Sequence, residues 1–86
     1  MEVINRSRDR RDYVFAMELV GQIPALHRGA LRLTRHVADA QDLVQETVTR
    51  ALERRARFQS GTNLRAWLFT IQRSLFINAH RRRQVA

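Results

Sequence analysis

An all-α fold, a compact bundle of three main helices, follows from three features of the sequence. Its 86 residues contain only three glycines and one proline, too few for the frequent tight turns of a β-rich chain. Apolar residues recur at intervals of three and four over three long stretches, which is the period of a helix. The connectors between these stretches are short, so consecutive helices pack as neighbours. A chain of this size buries about 60–65% of its unfolded surface, enough for a modest helical core but not for a deep enclosed active site.

Residues 1–11 are polar and charge-dense, and they read as a flexible tail that is frayed or disordered. The folded domain is then expected over 12–86. From about Asp12 a helical pattern begins with Val14, Met17, Leu19, Val20 and Ile23, and Pro24 interrupts it. Proline lacks a donor and clashes with the preceding turn. The stretch to about Arg35, with Ala25, Leu26, Ala30, Leu31 and Leu33, is therefore one helix kinked near Pro24 or two that split there.

After a connector of residues 35–38, Asp39 is placed to cap a second helix, with Asp42 three residues on completing a capping box. That helix, about 40–57, has Ala40, Leu43, Val44, Thr47, Val48, Ala51 and Leu52 on its apolar side. Gln41, Asp42, Gln45, Glu46, Thr49, Arg50 and Glu53 form the outward side, with an i, i+4 pair expected between Glu46 and Arg50. Its charge runs from acidic to basic, which suits the helix dipole.

The third helix, to about residue 83, follows a polar loop, 58–63, in which Gly61 permits a sharp turn and Thr62 or Asn63 supplies the N-cap. Leu64, Trp67, Leu68, Ile71 and Leu75 line one face, and Trp67 is the expected core anchor. Its loss would cost about 3–5 kcal/mol if it is fully buried. The opposite face carries Arg65, Phe69, Gln72, Arg73, Phe76 and His80. Rings alternating with cations suit single-stranded nucleic acid, since bases stack on rings and phosphates pair with arginines. The alternative is that a neighbouring helix covers both Phe side chains and the arginines are simply solvated.

The net charge of +8 comes from sixteen arginines and no lysine. Arginine pairs bidentately with phosphate, so an anionic partner is favoured, although a GC-rich genome also accounts for the absence of lysine. Without cysteine there is neither a disulfide nor a thiolate metal site, and the sequence suits a reducing cytoplasm. No apolar run approaches the roughly 18 residues of a membrane span, and the N-terminus lacks the apolar core of a secretory signal. His27, His36 and His80 lack metal-ligand spacing. Ser60 lacks a nucleophile elbow, no carboxylate pair flanks a pocket, and the glycines form no phosphate loop. No metal, cofactor or catalytic residue is expected, and an enzyme is not.

The string ADAQDLVQETVTRAL, followed by F-x-x-G-T-N-L-R-A-W-L-F-T-I-x-R, resembles region 2 of the extracytoplasmic-function (ECF) sigma factors of the sigma-70 family. The first part is similar to the D-A-E-D-L-V-Q-E run of region 2.2, the second to the W-L-x-x-I-x-R-N segment of regions 2.3 and 2.4. The wording also resembles the general-stress-response subgroup of alphaproteobacteria. The resemblance spans about residues 20–83.

It implies a bacterial transcription initiation domain that acts in the cytoplasm. In such domains the region 2.2 helix docks on the clamp helices of the largest subunit of core RNA polymerase, which maps to Asp42, Leu43, Gln45, Glu46 and Arg50. The loop Phe58, Gln59, Ser60, Gly61, Thr62 and Asn63 would capture a base flipped from the promoter minus-ten element. Its hydroxyls and amides suit the edge of an unstacked base. Arg65, Phe69, Arg73, Ser74, Phe76, Arg81, Arg82 and Arg83 would follow the displaced non-template strand. An anti-sigma factor is a further implied partner.

Two departures stand out. Ser74 occupies the position of the family's asparagine, and the second, promoter-reading domain of family members is absent, so the chain reads as an excised domain or a naturally short protein. They motivate a second reading, a sigma-like decoy that binds an anti-sigma factor without directing transcription. A third, a non-specific basic DNA-binding protein, leaves the acidic start of the second helix unexplained.

Overall fold

The computed structural model describes residues 6–85, and its elements are α1 (Arg6–Thr34), α2 (Val37–Glu53), a 3-10 turn (Arg55–Arg57) and α3 (Leu64–Val85). Each helix packs on the other two, as the bundle reading requires. The first helix starts earlier than expected: residues 6–11, assigned to the flexible tail, are helical, whereas residues 1–5 lie outside the described residues. Charge density in this segment does not stop helix propagation once the downstream turns are packed.

Of the two arrangements open at Pro24, the single helix is found. Pro24 and Val20, whose carbonyl loses its partner there, are both exposed, so water can satisfy that group. Ala25 and Leu26 immediately beyond are buried, and their packing outweighs the poor propensity of proline.

Arg35, in the left-handed region at φ 56°, ends α1, and its N–H donates to the Leu31 carbonyl at 2.8 Å. The cap of α2 is His36 rather than Asp39: the His36 Nδ1 accepts from the Asp39 N–H at 3.4 Å. Asp39 sits in the first turn, so the capping arrangement exists but lies one turn nearer the N-terminus than the acidic pair suggested. Likewise α2 closes at Glu53, and 55–57 tighten into the 3-10 turn instead of extending the helix.

The core is formed by Phe15, Leu19, Leu26 and Ala30 of α1, Ala40, Leu43, Val44 and Ala51 of α2, and Leu64, Leu68 and Ile71 of α3. Thr47 is also sealed inside, its hydroxyl donating to the Leu43 carbonyl at 2.7 Å. Trp67, expected as the central anchor, is only half-buried: its ring meets Phe58 (centroids 5.2 Å apart) and Phe15 (6.1 Å) at the border of the core. Leu26 and Leu68 take the central places. Phe15 was not singled out by the sequence pattern, whereas Val14, Met17 and Val20, which were, are exposed.

Candidate nucleic-acid interface

The turn into α3 is held by its own polar side chains. Thr62 donates its N–H (3.2 Å) and its hydroxyl (2.6 Å) to the Gln59 carbonyl. Asn63, of the two candidate caps, is the one used: its Oδ1 accepts the Ala66 N–H at 3.0 Å. Gly61 supplies the left-handed step at φ 87° that lets the chain reverse between them. All of Gln59–Asn63 is exposed. With Thr62 and the Asn63 oxygen engaged, Gln59, Ser60 and the Asn63 amide nitrogen remain to meet a ligand. Phe58 is a different case: half-buried between Phe15 and Trp67, it secures the loop to the core and is not a free stacking ring.

Beyond the loop, the face predicted to carry both rings and cations divides. Phe69 leans on α1 where Gly29 leaves room; a Cβ at residue 29 would stand 2.6 Å from the Phe69 Cε1. Gln72 is fully buried, its Nε2 donating to the Leu26 carbonyl at 3.2 Å while its Oε1 has no partner. Phe76, two turns after Phe69, is half-buried and stacks on His80 at 6.3 Å. Arg65 is exposed but its Nε donates to the Gln22 Oε1 of α1 at 2.8 Å. The interhelical covering therefore applies to Phe69 and Gln72, and partly to Phe76. Arg73, Arg81, Arg82 and Arg83 are exposed.

The opposite flank of α3 opens instead. Trp67, Thr70, Ile71, Ser74, Leu75 and Asn78 face Arg50, Arg54 and Arg57 across a notch of about 350 Å³. Three arginines and no carboxylate are among its lining residues, with Arg50 paired to the adjacent Glu53. Ser74 and Asn78 add short polar side chains, and the Thr70 hydroxyl donates to the Ala66 carbonyl at 2.9 Å. Arg54, Arg57, Thr70 and Asn78 were missed in the sequence reading because they lie on two elements whose relative placement no local spacing encodes. Arg50 was placed with the polymerase-facing residues; it is half-buried, lines this notch and pairs with Glu53 at 3.8 Å, not with Glu46. A larger groove of about 690 Å³ lies between the start of α1 and the 3-10 turn. Arg10, Arg11, Asp12, Glu18, Arg55 and Ser60 are among its lining residues, and an Asp12–Arg55 ion pair of 3.0 Å lies in its wall.

On α2, Gln41, Asp42, Gln45 and Glu46 are exposed together, as the periodicity requires. Leu43, grouped with them, faces the core and is corrected to a packing residue. Among the described residues no group of His, Asp or Glu could hold a metal ion, and no helix is long and apolar enough to cross a membrane.

The bundle thus carries a polar-acidic face on α2 and an arginine-lined notch between the end of α2 and α3. Residues 19–85 match the family described as Sigma-70 region 2, and the chain belongs to that family. It is 45% identical over 67 residues to the ECF RNA polymerase sigma factor EcfG of Rhodopseudomonas palustris, an alignment covering 78% of this chain and 37% of the relative. It is 44% identical over 57 residues to the ECF RNA polymerase sigma factor SigL of Mycobacterium tuberculosis, covering 65% of this chain and 32% of the relative. Among solved structures it is similar to the sigma factor RpoE in complex with the anti-sigma factor NepR from Bartonella quintana, with a TM-score of 0.76 and 42% identity over 80% of this chain and 43% of that one. The chain thus spans less than half the length of these relatives.

Proposed function

We propose that this domain binds core RNA polymerase through α2 and promoter DNA through the loop and α3, holding non-template single strand of the minus-ten element during initiation in the bacterial cytoplasm. The observation that carries this reading is the arginine-walled notch between the end of α2 and α3, which begins at Arg50, one turn beyond Glu46. An unstacked base or its phosphate suits a notch with guanidinium walls and short polar side chains. The exposed loop presents Gln59 and Ser60, the latter on the larger groove beside α1. Arg73 and Arg81–Arg83 add further exposed cations along α3. The work is binding and positioning, with no bond made or broken by the protein.

Fluorescence anisotropy at moderate salt tests the DNA half. Single strands carrying the cognate minus-ten element should bind better than scrambled ones, and equal binding would reject sequence reading. Pull-down of core polymerase, with Asp42→Ala/Glu46→Ala as the control that should lose it, tests the other half.

The decoy reading is kept because the structural relative is a sigma factor captured with its anti-sigma factor. A decoy would bind an anti-sigma factor yet fail to retain core polymerase, so the same pull-down separates the two.

A further inference from the structure

The outward side of α1 is apolar and carries no packing neighbour among the described residues. Tyr13, Met17, Val20, Pro24 and Leu31 are separated by four, three, four and seven residues, so they form one stripe along the helix. Phe15, Leu19, Leu26 and Ala30, which build the core, occupy the reverse side. Tyr13 is 66% exposed, Met17 53%, Val20 57% and Leu31 43%. From first to last the stripe is about 27 Å long at the rise of an α-helix. Single exposed apolar residues are ordinary, but an aligned row of this length on a small domain is the surface that a second amphipathic helix covers.

Charge says which kind. Arg10, Arg28 and Arg32 follow one edge of the stripe; all are exposed and none enters an ion pair among the described residues. Asp9 lies by the other edge at one end, and Glu18 stands beyond the arginine edge. A second copy of a chain with net charge +8 would bring like charges together along this contact, whereas an acidic helix would meet opposite ones. The geometry points to a docking site on α1 for an amphipathic helix of a partner protein whose apolar stripe is flanked by Asp and Glu. The site is separate from the notch and from the Asp42–Glu46 face, and it stands whether or not the chain engages polymerase.

The test titrates the isotope-labelled chain with two synthetic helical peptides of about 20 residues, a length that matches the stripe. Both carry the same leucine stripe, flanked by Glu in one and by Lys in the other. The Glu peptide should bind at least about tenfold more tightly, with amide shifts centred on residues 13–31. Met17→Gln/Val20→Gln should weaken it by about tenfold while leaving thermal melting and single-strand binding unchanged. Tyr13→Ser serves as a second variant should the double substitution unfold the chain. Equal or absent binding of the peptides overturns the proposal, as do shifts confined to Arg81–Arg83, which would mark simple charge attraction. A dimer of the free chain that Met17→Gln/Val20→Gln dissolves would assign the stripe to a second copy and overturn it as well.

Discussion

Along one flank of α3, Phe69 presses on Gly29 of α1 and Gln72 spends its amide nitrogen on the Leu26 carbonyl. Along the other, Thr70, Ser74 and Asn78 look across a gap at Arg50, Arg54 and Arg57. Both flanks carry polar residues in the sequence, yet one is part of the fold's support and the other lines an open notch, where Thr70 bonds only within its own helix and Arg50 only to the adjacent Glu53. What separates them is the neighbouring element: α1 approaches within van der Waals contact on the first side, whereas the end of α2 and the 3-10 turn bring long cationic side chains to the second. Substitutions on the first flank should therefore act through stability, and those on the second through binding.

The largest effect expected from this division is at Phe69. Phe69→Ala should cost about 2–4 kcal/mol in thermal or denaturant unfolding, because the ring is half-buried and nothing else fills the space over Gly29. A melt unchanged from wild type would mean that the ring is dispensable to the fold and free to serve a ligand. Gly29→Ala should follow at about 1–3 kcal/mol, since the added carbon would force the Phe69 ring aside; a gain in stability would show that the ring yields easily.

Across α3, Arg54→Ala/Arg57→Ala should leave the melt within about 0.5 kcal/mol of wild type. It should weaken single-strand binding by roughly tenfold and lower the log–log salt slope by about 1.4, two contacts at about 0.7 each. An unaltered slope would remove the notch from the DNA path. The smallest change belongs to Ser74→Asn, which restores an amide between the arginines and should raise the preference for the cognate strand by no more than about threefold, read by anisotropy against a scrambled strand. A loss of preference would show that the serine is adapted to a different base or anion.

Much of the fold was legible locally. Helix period, Gly61 and a cap at Thr62 or Asn63 are properties of a few adjacent residues. The three helices are found, Gly61 makes the left-handed step and Asn63 is the cap used, while α1 and α2 both begin earlier than the spacing set them and α2 ends sooner. The errors share a cause. Asp39 looked like the cap because acidic spacing is a local signal, but His36 reached the first-turn amide first. Leu43 was grouped with the outward residues by a family motif, although its period places it inside. Phe58, Phe69 and Gln72 were read as reachable because a helical wheel shows which residues share a face and not which faces are covered.

The sequence alone determined that this is an all-helical domain of the sigma-70 region 2 type, rich in arginine, with an acidic-polar face on its second helix. Those features rest on periodicity, composition and motif order, each carried by residues near one another in the chain. Only the tertiary structure decided which side of α3 is closed by α1, that Arg54 and Arg57 face Ser74, and that α1 keeps a second apolar stripe pointing away from the core. Burial belongs to the meeting of two elements, and a single helix cannot encode where its partner stops.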